Sequence, residues 1–501
     1  MAGLEGLLTP FLSWEMILYI AAGCFVGIYV GAIPGLSVTM AVSILISFTF
    51  AWDLLPALAV MVGIYVGGVY GGSRASILLN IPGAPAAVAT TFDGFPMAQK
   101  GEAGLAMGVS TIQSVIGTLF GIIILAFLSP LISLIAIKFA PQDFFLMGLM
   151  GLLLVGSLAA GSLLKALITA CIGLLVGMVG MDPVIGQGRL IFGMNSLLGG
   201  LHFVVVMIAV FGVSEALMQL RTNVEPVKQK IDKIQTDFKA ITKYLPLTLR
   251  SSTLGVFIGA LPGCGGDIAS LMAYDQAKRT VRNPSRPFGQ GAIEGVIAPE
   301  AAKNACIGGA FIPMMTLGIP GDSVTAILIG AMIIHGLRPG PLLMREQPEF
   351  FWIILGSLVI ANIFLYIFGM SGLKLFSKIV EVPKPYIIPI IVVLSIVGSY
   401  TINNSIPDIY WMIGFGVFGY FLKIFDYPTA PLVLGVILSP IIEINWRRSM
   451  DLSHGNLFEF IQSLLTSPIS LVLIAIIVIM MVSQTDWWKN RGKKNTPAAE
   501  G

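Results

Sequence analysis

The sequence predicts an all-α polytopic membrane protein built from two related halves, and three observations carry the prediction. Of its 501 residues, 56% are hydrophobic and only 11% are charged, where an ordinary soluble domain carries about a quarter charged residues. Mean hydropathy is +0.90. A glycine–proline pattern also occurs twice. Gly31-Ala32-Ile33-Pro34-Gly35 returns as Gly259-Ala260-Leu261-Pro262-Gly263, and Leu79-Asn80-Ile81-Pro82-Gly83 returns as Leu317-Gly318-Ile319-Pro320-Gly321.

In chain order, residues 1–220 form the first membrane repeat. No Lys or Arg precedes Arg74, and the start has neither a basic region nor a small-residue cleavage site, so it reads as mature protein. Proline lacks a backbone donor and glycine admits φ > 0, so helices should break at Pro34–Gly35 and at Pro82–Gly83. Within a bilayer, the backbone groups so freed are tolerated only against protein or a water-filled cavity. The uncharged runs Gly104–Ile137, Phe144–Leu164 and Leu190–Ser214 are each long enough to cross a hydrocarbon core, which takes ~20 residues.

Residues 221–243 read as a basic linker with Arg221, Lys228, Lys230, Lys233, Lys239 and Lys243. The second repeat, 244–486, breaks at Pro262–Gly263 and Pro320–Gly321. It carries a Pro/Arg-rich loop at Lys278–Gln290 and apolar runs at Phe351–Leu373 and Ile461–Thr485. The tail, 487–501, is basic again. Roughly ten to twelve crossings are expected. The positive-inside rule places linker and tail in the cytoplasm and the N-terminus outside. The halves then enter the membrane from opposite sides, as inverted repeats. That architecture underlies alternating access, with substrate held near the midplane where helices are interrupted.

The residues flanking the breaks suit a small anion together with a coupling cation. Helix N-termini just after Pro-Gly present free N–H groups and a positive dipole end to a carboxylate. The backbone at Gly35, Gly83, Gly263 and Gly321, with Ser37, is therefore the expected substrate contact. Arg74, a charge among apolar residues, is a candidate to clamp a carboxylate with its guanidinium, a snorkelling arginine at a helix end or one paired with an acid being the competing reading. Hard oxygen ligands suited to Na⁺ come from Ser73, Asn80, Asp267, Asn304, Thr316, Asp322, Ser323 and Thr325. For the hydroxyls, Asn80 and the two aspartates, helix capping is the competing reading. Cys24, Cys171, Cys264 and Cys306 are scattered through apolar segments with no C-x-x-C pair and read as buried structural thiols. His202 and His335 read as packed, neutral side chains.

Several classes are excluded. The chain has no P-loop and no H-E-x-x-H or G-x-S-x-G motif. Gly263-Cys264-Gly265-Gly266-Asp267 has the wrong spacing for an intramembrane aspartyl protease. No enzyme activity, cofactor or nucleic-acid partner is expected.

At these motifs the chain resembles the TctA-type large membrane subunits of the tripartite tricarboxylate transporters. The resemblance runs through Gly31–Gly35, Tyr70–Ser73 with Ile77–Gly83, and the long block Gly291–Ala302 continuing through Thr316–Gly321 to His335–Pro341. It implies a multi-pass subunit in a bacterial inner membrane, importing a small carboxylate on a Na⁺ or H⁺ gradient. It also implies two partners, a small membrane subunit and a periplasmic solute-binding protein. The chain departs from the family's common pattern at Leu36-Ser37-Val38, at Asp322, and at Lys303-Asn304, where paired asparagines are common. Lys303 is a charge that can balance Asp322 electrostatically, with contact between them left open by the sequence. The carboxylate itself is left open, as are a channel or a carrier without a binding protein and, more remotely, a membrane enzyme or scaffold.

Overall fold

The computed structural model describes residues 3–33, 36–49, 51–158, 163–182, 185–220, 238–371 and 384–483. Among these, helices follow one another almost without strands. They are α1 (Trp14–Ala32), α2 (Val38–Thr49), α3 (Leu54–Leu79), α4 (Val88–Gln99), α5 (Ala103–Ala136), α6 (Pro141–Leu158) and α7 (Leu163–Gly177). A two-residue hairpin follows, β1 (Gly180–Met181) antiparallel to β2 (Gly188–Arg189). Then come α8 (Phe203–Gln219), with a π-turn at Ile208–Val213, α9 (Phe238–Ala260), α10 (Gly265–Thr280), α11 (Glu294–Leu317), α12 (Ser323–Ile334) and α13 (Pro348–Ser371). The series closes with α14 (Lys384–Asn403), α15 (Ile406–Ile424), α16 (Ala430–Leu452), α17 (Leu457–Thr466) and α18 (Pro468–Ser483).

Among the described residues, five helices (α1, α3, α5, α13 and α16) are long and apolar enough to span a membrane, or six spans if the bent pair α17–α18 counts as one. This is fewer than the ten to twelve expected from the sequence. The breaks leave half-helices such as α2, α4 and α12, each 12 residues long, too short to cross alone, and α7, α8 and the apolar part of α14 are short as well. Leu190–Ser214 is not one crossing either. Helix begins only at Phe203, after a stretch in which Gly193 and Gly200 take positive φ. Within the run that begins at Ile461, α17 and α18 meet at 92° across Ser467.

The chain divides into two compact units, Met1–Ile137 with Leu201–Phe425, and Lys138–Gly200 with Asp426–Gly501. In the second, α7 and α16 pack backbone to backbone. A Cβ on Gly173 would stand 2.0 Å from the Leu432 carbonyl oxygen, and one on Gly435 would stand 2.5 Å from that of Ala170. Beside the hairpin, Arg189 holds Glu443 with both terminal nitrogens, at 2.6 and 3.1 Å, while Arg447 reaches Asp182 at 2.7 Å.

The first unit repeats an order of elements. The run α1, α2, α3, break, α4, α5 is matched by α9, α10, α11, break, α12, α13. The matched helix pairs also pack alike. Gly23, Gly27 and Gly31 of α1 lie on the carbonyls of Val60, Ile64 and Gly68, and Gly63, Gly67 and Gly71 of α3 lie on those of Ile20, Cys24 and Ile28. In the second run Gly255 and Gly259 of α9 lie on Ala302 and Cys306 of α11. Lipid is as apolar as leucine, so close backbone approach through small residues is what holds membrane helices together. The correspondence reaches single residues. Asn80 ends α3 in the left-handed conformation (φ 56°), and Gly318 ends α11 the same way (φ 72°). A Cβ on Gly83 would strike the Gly31 carbonyl, and one on Gly321 would crowd the Gly259 carbonyl.

Candidate functional site

The helices end at Leu79, Ala260 and Leu317, so the backbone is non-helical at Pro82–Gly83, Pro262–Gly263 and Pro320–Gly321, as the proline chemistry requires. Pro34 and Gly35 lie outside the described residues. The three described breaks meet. The Gly263 N–H donates to the Gly321 carbonyl at 2.7 Å. A Cβ on Gly265 would stand 3.5 Å from that of Asp322, and one on Gly266 would stand 3.5 Å from those of both Ala86 and Lys303. Three helical starts therefore face one place: the turn at Pro85–Ala87, the first turn of α10 and the first turn of α12. Helix starts leave N–H groups unsatisfied and carry the positive end of the dipole.

The aspartates sit at these starts. Asp322 is the N-cap of α12 in a reciprocal capping box. Its Oδ1 accepts from the Thr325 N–H at 2.8 Å, while its own N–H donates to Thr325 Oγ1 at 2.8 Å. Its Oδ2 also accepts from the Tyr65 hydroxyl of α3. Asp267, in the first turn of α10 and two residues beyond Gly265, is exposed. Ser323 is half-buried beside them.

Other residues singled out in the sequence have local roles. Ser37 Oγ accepts from the Met40 N–H at 3.0 Å and caps α2. Thr316 Oγ1 donates to the Ile312 carbonyl within its own helix, at 2.7 Å. Asn80 is an exposed left-handed C-cap. The Gly83 N–H turns back to the Gly72 carbonyl, so the donors at this break are those beyond it. Arg74 is fully buried, and its guanidinium faces α13 rather than the breaks. It donates to the Phe368 and Gly369 carbonyls at 2.9 and 2.7 Å and to the Tyr70 hydroxyl at 3.3 Å. The expected clamp on a carboxylate is thus engaged with the last-turn carbonyls of a neighbouring helix. Cys171 is exposed, against the expectation of four buried thiols.

The sequence reading missed a second polar centre. Glu300 on α11 is fully buried, and five donors converge on its carboxylate. Oε1 accepts from Ser73 at 2.7 Å, Thr90 at 2.5 Å and the Lys303 ammonium at 3.0 Å, while Oε2 accepts from Ser110 and Ser114, each at 3.0 Å. Lys303 also donates to Ser73 Oγ. Asn304 Nδ2 donates to Ser114 at 2.9 Å. Lys303 therefore pairs with Glu300, one turn away on its own helix, and not with Asp322. The signal was available, since two charges three residues apart in the apolar run of α11 mark each other as partners.

A family model, described as the tripartite tricarboxylate transporter TctA family, matches residues 17–434. The chain belongs to this family. A protein of Agrobacterium vitis described as an uncharacterized 52.8 kDa protein in the TAR-I ttuC' 3' region is 37% identical over 479 residues, covering 95% of this chain and 93% of that protein. A second from the same organism, described as an uncharacterized protein in the TAR-II ttuC' 3' region, is 39% identical over 228 residues, 46% of this chain and 92% of that protein. No solved structure matches. As a TctA-family chain this is a multi-pass membrane component of a transporter that works with partner subunits.

Proposed function

We propose that this TctA-family chain is the large transmembrane subunit of a binding-protein-dependent secondary transporter of a bacterial inner membrane. It imports a small di- or tricarboxylate with Na⁺ or H⁺ by alternating access between two repeats of opposite topology. Its partners are a small membrane subunit and a periplasmic solute-binding protein that delivers the cargo. The observation that carries this reading is the meeting of three helix starts where three chain breaks converge. Backbone N–H groups and dipole ends favour carboxylates there. Asp267 and Asp322 at the same place supply the negative charge that a coupling cation needs, so anion and cation neutralise each other in one site. Ser323 adds an oxygen, and Ser73 and Asn304 belong to the separate Glu300 centre.

The test is uptake into proteoliposomes holding both membrane subunits, with binding protein added outside. A panel of mono-, di- and tricarboxylates is offered under separate Na⁺ and H⁺ gradients. Accumulation of one carboxylate class that requires the binding protein and collapses with one gradient is expected. Accumulation without a gradient, or at an unchanged rate without binding protein, overturns the reading.

A further inference from the structure

Lys303 stands in an unusual place. Its ammonium has no solvent contact and touches Glu300 Oε1 and Ser73 Oγ. The hydroxyls of Thr90, Ser110 and Ser114 complete the shell around the same carboxylate. At the edge of that shell, Asn304 is fully buried, and its Oδ1 has no hydrogen-bond partner among the described residues, although its Nδ2 is bonded to Ser114. One carboxylate, four hydroxyls and an amide oxygen form a set of hard oxygens on three helices and the adjoining half-helix α4. Hydroxyl, carboxylate and amide oxygens are what a dehydrated Na⁺ requires, whereas the three-donor ammonium engages two of these oxygens, Glu300 Oε1 and Ser73 Oγ.

We infer that Lys303 is a tethered replacement for a mobile monovalent cation, filling a Glu300-centred oxygen cage that would otherwise bind Na⁺. A buried carboxylate needs one positive charge beside it. A lysine stem supplies that charge permanently, at any salt concentration, and so locks α11 against α3, α4 and α5. The coupling ion of the proposed cycle is thereby confined to Asp267 and Asp322.

The experiment reads the thermal stability of the full-length protein, purified in detergent, in equal concentrations of NaCl, LiCl and choline chloride. It needs no transported cargo, so it can fail without touching the transport proposal, and the reverse. Lys303→Ala opens the cage. Its unfolding temperature should rise in NaCl relative to choline chloride, by more than any shift the wild type shows, and Glu300→Gln added to it should abolish that gain. Lys303→Met keeps the bulk and loses the charge. It should be destabilised in every salt, with no extra gain from Na⁺. A Lys303→Ala protein that folds with no Na⁺-specific gain, or that cannot be recovered from cells grown in high Na⁺, overturns the inference. So does a Lys303→Met protein as stable as the wild type.

Discussion

At the scale of single residues, Asp322 joins two roles that substitution can separate. As N-cap it satisfies the Thr325 N–H and accepts from Tyr65; as a carboxylate it adds charge where the breaks meet. Asparagine caps a helix as well as aspartate does and can still pair with Tyr65. Asp322→Asn should therefore keep stability within about 1 kcal/mol while raising the cation concentration for half-maximal uptake more than it raises the substrate KM. Asp322→Ala leaves a buried donor on each side unsatisfied and should cost about 2–3 kcal/mol, read as a fall in Tm. If Asp322→Ala loses stability while cation dependence is untouched in Asp322→Asn, Asp322 is a cap and nothing more. Arg74 teaches the complementary lesson. Its charge inside an apolar run was legible, but its partners are carbonyls of α13, which no local pattern announces.

At the scale of elements, the glycine rows decide how closely helices approach. Gly67 of α3 lies against the Cys24 carbonyl, where a Cβ would stand 2.3 Å from the oxygen. The obstacle is backbone and cannot turn aside. Gly67→Ala should force α1 and α3 apart and cost about 1–3 kcal/mol, toward the upper end of the overpacking range. Gly101 sits at an open turn, where an added Cβ would meet nothing within 4 Å but φ is +83°. Gly101→Ala should instead show only the smaller penalty of a left-handed backbone. Equal losses of thermal stability in the two variants would refute packing as the cause. The breaks themselves were legible because Pro and Gly act within a few residues. Their convergence was not, because it depends on α10 packing on α11 and on the Pro85–Ala87 turn, and on α12 packing on α3.

At the scale of the whole molecule, two halves of the chain are joined by contacts of long reach. The loop between α10 and α11 is held by the first half. Asp93 of α4 accepts the N–H groups of Gly289, Gly291 and Ala292 at 2.8–2.9 Å, and Arg286 grips Glu102 with two bonds of 2.6 Å. The Arg286 hydrogen bonds, reinforced by the charges of Arg286 and Lys100, hold the Glu102 carboxyl below its usual range. A depressed carboxylate stabilises the fold above its unfolded pKa, and that contribution is lost as pH falls through the lowered folded value. Hydrogen exchange in residues 281–290 should thus stay slow from neutral pH down to about pH 4.3 and quicken below it. Glu102→Gln should quicken it already at neutral pH. Loop opening near pH 6 in the wild type would rule out this clamp. The opposed topology proposed for the halves has its own test, single cysteines at Glu5 and Lys233 in a protein stripped of native cysteines. Modification of the first from outside only and the second from inside only is expected; labelling of both from one side removes the inverted repeat.

Composition, the doubled Pro-Gly pattern and the long Gly291–Pro341 block determined the membrane class, the places where helices stop and the family, because each acts locally or by sheer abundance of apolar residues. The sequence also placed Asn80 and Gly318 in register, and both take the left-handed conformation that ends a helix. Only the tertiary structure decided which polar groups meet. Ser73 reaches Glu300 across 227 positions of chain, and Lys303 turns to Glu300 rather than Asp322 because it shares a helix face with one and not the other. In a fully buried site a charge must find its partner wherever packing brings one, and packing is a property of all the helices at once.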